Sequence, residues 1–157
     1  MEISTSLLNV KEENPIQLFY DLESAKTDYF HIDAMDGEFV ENDTMERMKE
    51  YADSLKNISN TPLDIHLMVK DVKKYINIFA PNNPNIISFH IEAVENVMEI
   101  IEYIKNENCK VGIAINPETN IEKLYEYLPY IHLVLVMSVH PRKRWTTIYR
   151  RDSGKNI

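Results

Sequence analysis

His31-Ile32-Asp33-Ala34-Met35-Asp36-Gly37, with its echo His66-Leu67-Met68, is the stretch from which the fold and the chemistry are read. Both pieces follow short apolar runs, Tyr29-Phe30 and Pro62-Leu63-Asp64-Ile65. Side chains alternate along a strand, so His31 and Asp33, two apart, project to one face. His66, at the end of another strand, can converge with them. Two imidazoles and a carboxylate form a ligand set suited to zinc, iron or manganese, with room for a substrate oxygen. Taken singly, each histidine reads equally as a satisfied core residue. Their shared strand-end setting favours a metal site.

Outward from that stretch the pattern repeats. Apolar runs at 3–8, 29–33, 63–68, 86–91, 110–115 and 131–137 predict six strands. Between them, helical spacing predicts helices. Leu18, Leu22 and Ala25 follow the Asn14-Pro15 start. A second helix covers 44–55 with Met45, Met48 and Leu55. Val72, Ile76 and Phe79 mark a third, and Val97, Ile100, Ile101 and Ile104 a fourth. Ile121, Leu124 and Leu128 predict one more over 121–128. Near-continuous apolar strands alternating with amphipathic helices mean a parallel sheet covered by helices, in one domain. An open doubly wound sheet and most of an eight-fold barrel both fit. His31, Asp33, His66, His90 and Met137 fall near the carboxyl ends of different strands, the habit of a barrel. No G-x-G-x-x-G turn follows the first strand, which weighs against a dinucleotide fold.

Composition narrows the partners. A net charge of −8 over 157 residues argues against nucleic acid as a general partner. The single Cys109 excludes an internal disulfide and reads as a small buried side chain. The start Met1-Glu2-Ile3 does not read as a signal peptide, and no apolar run reaches the roughly 20 residues of a membrane helix, so a cytoplasmic protein with no membrane partner is expected. The charge is uneven. Residues 1–140 carry 11 Lys+Arg against 24 Asp+Glu, whereas residues 141–157 carry six against one and hold the only Trp. That basic tail reads as a disordered end more readily than as a nucleic-acid patch.

The sequence is identified as a member of the ribulose-phosphate 3-epimerase family by STSLL (4–8), HIDAMDGEFVEN (31–42), PLDIHLMV (62–69), FHIEA (89–93), KVGIAINPET (110–119) and LVLVMSVHP (133–141). The resemblance implies an α/β TIM barrel, here incomplete with about six of its eight βα units, in a domain spanning 1–141 and followed by an aberrant tail over 142–157. It implies metal-assisted interconversion of D-ribulose 5-phosphate and D-xylulose 5-phosphate, in the pentose phosphate pathway. The relative acting on allulose 6-phosphate shares these motifs, and a non-catalytic metal-binding remnant is the further alternative. His31, Asp33 and His66 match metal ligands for one divalent ion (zinc, iron, manganese or cobalt), and Asp33 also matches a catalytic acid/base. Ser6 and His66 match substrate-contacting residues, as do Met35, Met68 and Met137, which without the family would read as core filler. The expected partner is a phosphorylated ketose.

The family's second catalytic aspartate, fourth ligand and glycine-rich phosphate loops belong beyond residue 141. There the family pattern Pro-Gly-x-Gly-Gly-Gln-x-Phe is replaced by Arg142-Lys143-Arg144-Trp145-Thr146-Thr147-Ile148-Tyr149. A shifted reading frame in an adenine run beside Lys143 accounts for this. Codons permitted for the tail, read one base later, spell Gly-Gly-Gln-Gln-Phe-Ile-Glu-Glu-Thr-Ala-Glu-Lys. The nucleotide sequence after the Lys143 codon decides that hypothesis; a frame without further strand–helix units would reject it. Six of eight units would leave two strand edges and an apolar interior open, inviting homo-oligomers or instability.

Overall fold

Six strands lie side by side in chain order in the computed structural model, which describes residues 1–10 and 14–138. They are β1 (Ser4–Ser6), β2 (Tyr29–Met35), β3 (Leu63–Met68), β4 (Ile86–His90), β5 (Lys110–Ile115) and β6 (Leu133–Val136), and every pair is parallel. Helices α1 (Pro15–Ser24), α2 (Met45–Ile58), α3 (Val72–Phe79) and α4 (Val97–Asn106) make the crossovers. A doubly wound sheet reverses its strand order at a switch point. Unbroken order with crossovers of one hand stacks all helices on one face and curls the sheet into part of a barrel. The basic tail, 142–157, lies outside the described residues.

Helices α1, α3 and α4 begin where short polar side chains cap them. Asn14 accepts from the Ile16 amide at 3.2 Å with Pro15 behind it, Asp71 from Lys74 at 3.1 Å, and Asn96 from Glu99 at 3.2 Å. The main core lies between helices and sheet. Phe30, Ile32, Leu63, Ile65, Leu67, Ile87, Phe89, Val111 and Ile113 project from the strands onto Phe19, Met48, Leu55, Ile76, Phe79, Ile101 and Ile104, all buried. Phe19, not Leu18 or Leu22, is the fully buried residue of α1. Its ring sits 5.4 Å from Tyr51 and 6.0 Å from Phe30.

Four expectations are corrected. The concave face is not apolar across its width: Ser4, Ser6, His31, Asp33, Asp64, His66, Ser88 and His90 occupy it on β1–β4, because the period of two sends their apolar neighbours to the helix side. β1, expected to be buried, is short and mostly exposed, with one neighbouring strand among the described residues. No α-helix covers 121–128. Two 3₁₀ turns stand there, Ile121–Leu124 and Leu128–Tyr130, closed by bonds such as Tyr125 N to Glu122 O and Tyr127 N to Leu124 O. Only Leu124 of the expected stripe is buried; Ile121 and Leu128 remain about half exposed (48% and 49%), too little apolar contact to hold a continuous helix. Finally, β6 is shorter than the apolar run that predicts it.

The loop after β2 is tightly tied. Gly37 turns with φ +73°, a conformation that disfavours a side chain. Asp36 accepts from the Glu38, Phe39 and Lys70 amides, and so fastens the end of β2 to the end of β3. Thr44 precedes α2 but does not cap it with its side chain. Its hydroxyl instead donates to Asp33 O at 2.6 Å and accepts from the Met35 amide at 3.1 Å.

Candidate metal centre

β2 reads His-x-Asp and β3 reads Asp-x-His, and the register sets them against each other: His31 beside Asp64, Asp33 beside His66. Each imidazole thus gains a carboxylate neighbour. Asp33 Oδ1 sits 3.3 Å from His31 Nε2 and 3.4 Å from His66 Nδ1, and ligand atoms of the three residues lie within 4.8 Å of one another. Ser6 donates to Asp33 Oδ2 at 2.6 Å. His31 Nδ1 is 2.8 Å from Asp64 Oδ2, which also accepts from Ser4 Oγ at 2.9 Å. Met35 and Met68 pair across the strands one step beyond, buried with Val40 and covered by Leu8 and Phe39. Met137 stands just past β6, four strands from Asp33, with its amide bonded to Ile115 O.

The electrostatics follow from burial and contact. Burial lowers the His31 pKa, but hydrogen bonds to Asp33 and Asp64 and their charges outweigh it and carry the ring up to about 10. Asp33 is buried too, which raises its pKa; the two imidazoles beside it prevail and hold it well below the usual carboxylate range. For His66 the order reverses. Complete burial dominates, Asp33 only partly offsets it, and the ring stays below its ordinary pKa. Asp33 is therefore anionic and His66 neutral at neutral pH, as ligands must be, whereas His31 has to give up a proton to coordinate.

Two nitrogens and one carboxylate oxygen suit a borderline divalent ion. His31 also holds an outer carboxylate on the nitrogen turned away from the cluster, a common arrangement around histidine ligands. The donor set thus fits a divalent metal. Asp64 is missed by the sequence reading, although Asp64-x-His66 mirrors His31-x-Asp33 and carried the signal. His90 is placed at a strand end but without its partners. Its Nε2 is 3.0 Å from His66 Nε2, its Nδ1 is 3.3 Å from Glu92 Oε2, and the Phe39 ring lies 5.2 Å away.

Residues 2–146 match the model of the ribulose-phosphate 3 epimerase family. The chain belongs to that family. Similar relatives are ribulose-phosphate 3-epimerases of Helicobacter pylori strain J99, 36% identical over 142 residues, of Bacillus subtilis strain 168, 35% over 121, and of Serratia marcescens, 40% over 119. These alignments cover 90%, 77% and 75% of this chain but 63%, 55% and 56% of the relatives. The chain thus spans less than two thirds of their length. The six parallel strands with alternating helices are an incomplete TIM barrel of this family, as the sequence implied. Among the described residues no helix is long and apolar enough to cross a membrane.

Proposed function

We propose that this chain carries the metal-binding half of a ribulose-phosphate 3-epimerase site. His31, Asp33 and His66 hold one divalent ion, and Asp33 exchanges the proton on carbon 3 of a phosphorylated ketose. One observation carries the reading: three ligand atoms from two adjacent strands gather within 4.8 Å around a buried, ionised carboxylate.

A bound divalent ion would supply Lewis acidity to the carbonyl and hydroxyl oxygens of the sugar. Asp33 supplies the proton acceptor, already ionised and aimed by Ser6 from one side and Thr44 from behind its carbonyl. The ring of His66 holds its place against Asp33 and contacts the substrate. Met35 and Met68 form an apolar wall that keeps water from the reacting carbon. Met137 is assigned a place on the opposite side of the same mouth. Inversion needs a second acid on the far face of the sugar, and β1–β6 supply the near face. On this reading β1–β6 alone turn over slowly or not at all. The ion is zinc, iron, manganese or cobalt, and the sugar is ribulose 5-phosphate in preference to allulose 6-phosphate, as the relatives' names favour.

The test is a titration with each of the four ions, followed by epimerase assays on both sugar phosphates. One equivalent of ion should bind, His31→Ala should abolish it, and turnover should fall far below that of a full-length relative. Turnover equal to such a relative would overturn the one-face reading. Absence of binding would overturn the metal reading. Binding with no turnover at all favours a non-catalytic metal-binding role, for which β1 and β6, each with one neighbour among the described residues, are the supporting observation.

A further inference from the structure

His66 offers Nδ1 toward Asp33 and Nε2 toward His90. A neutral imidazole carries one hydrogen, and a coordinating nitrogen must be bare. Asp33 would draw that hydrogen onto Nδ1, where it would block the ligand position. Something on the other side has to hold it on Nε2.

We propose that His90 and Glu92 are positioning residues that keep the hydrogen of His66 on Nε2 and so leave Nδ1 free for the metal. The inference rests on the metal reading given above. Two Nε2 atoms 3.0 Å apart share one hydrogen: one ring donates and the other accepts. The Glu92 carboxylate decides which. Its Oε2 lies 3.3 Å from His90 Nδ1, while its Oε1 accepts from the Asn116 amide at 2.9 Å and from Thr119 Oγ1. An ionised carboxylate only accepts, so His90 presents a hydrogen on Nδ1, and a ring carrying one hydrogen then leaves its Nε2 bare. His66 must then be the donor.

The surroundings support this order. Burial raises the Glu92 pKa, but the bonds from His90, Thr119 and Asn116 outweigh it and bring the carboxyl down to about 2. His90 is fully buried, and the Phe39 ring against it shuts out water that could offer another partner. The two imidazoles lie 24° from parallel, an orientation compatible with an in-plane hydrogen bond. His31 is anchored differently, by Asp64. The two nitrogen ligands are thus oriented from opposite sides, one by a carboxylate directly and one by a carboxylate acting through a second imidazole.

Long-range ¹H–¹⁵N spectra of the histidine rings in the metal-free protein, with cobalt titrations alongside, test the relay. The parent should show His66 as the Nε2–H tautomer and His90 as Nδ1–H. His90→Phe removes the acceptor, so His66 should move to Nδ1–H and cobalt affinity should fall about 10- to 100-fold. His90→Gln, whose amide oxygen can accept from Nε2–H, should restore both. Should His90→Phe not fold, Glu92→Leu at the more exposed end of the relay serves instead. It should shift the tautomer population the same way, and a purely structural residue would not. His66 as Nδ1–H in the parent, or unchanged tautomer and affinity in the variants, would overturn the proposal. If the parent binds no cobalt, the metal reading fails, and the ring spectra still decide the relay.

Discussion

Gly112 sits at the centre of β5, opposite Ser88 on β4 and Leu133 on β6. A Cβ added there would lie 2.7 Å from Ser88 Cβ, and 3.3 Å from both Ser88 Cα and Leu133 Cδ2. Carbon atoms pack best at about 3.5–4.0 Å, so the nearest contact is too short by roughly 0.8 Å or more. Ser88 Cβ is fixed to the backbone and cannot swing aside. β4 has to move, and β4 carries His90 while pairing Ser88 with His66. Overpacking of this kind costs about 1–3 kcal/mol. Restricting the unfolded chain returns about 0.4–1 kcal/mol when glycine becomes alanine. Gly112→Ala should therefore lose about 1–2 kcal/mol net. With a urea slope of about 1–3 kcal/mol per molar, the midpoint falls by roughly 0.3–2 M. In a Ser88→Gly background the same change should cost clearly less, because the 2.7 Å contact is gone while the 3.3 Å contacts to the backbone at 88 and to Leu133 remain. An unchanged or raised midpoint for Gly112→Ala, or the same loss in both backgrounds, would refute the reasoning.

Three further outcomes are expected. Asp33 and Asp64 hold the His31 proton up to about 10 with neutral His66 alongside, so its stabilising contribution is complete below the ordinary 6.5 and disappears as pH rises through about 10. Metal binding near neutral pH should accordingly release close to one proton, and affinity should climb about tenfold per pH unit across that window; calorimetry in buffers of different ionisation enthalpy measures the release. Thr44→Val leaves the Asp33 carbonyl and the Met35 amide without their partner inside the fold, and should cost roughly 2 kcal/mol or more in urea unfolding. Burial, with the nearby Glu107 charge, pushes the Cys109 thiol up to about 11, so a disulfide reagent near pH 8 should label it far more slowly in the folded chain than in urea.

Much of the site is written in the strand period. His31 and Asp33 share a face because they are two apart, and His66 joins them because it occupies the matching step of the next strand. The same rule, applied to Asp64 and to Ser4, would have exposed the outer partners as well. An open apolar interior is wrong for the same reason: the run Leu63–Met68 reads apolar as a whole but deals Asp64 and His66 to the concave side. Other features depend on tertiary contact that no local pattern carries. Glu92 reaches His90 because a short 3₁₀ turn follows β4, and it is held by Asn116 and Thr119 from the loop after β5. Phe39 covers His90 because Asp36 pins its loop to the end of β3. The helix expected after β5 gives way to two 3₁₀ turns, because only Leu124 of its apolar stripe finds a place in the core while Ile121 and Leu128 stay half exposed.

The central claim is that two neighbouring strands grip one divalent ion. Crystals of the chain soaked in cobalt, measured at the cobalt absorption edge, test it most directly. An anomalous peak about 2.0–2.2 Å from a nitrogen of His31, an oxygen of Asp33 and Nδ1 of His66 is the expected result. A peak elsewhere, or one that leaves out any of the three side chains, would contradict it.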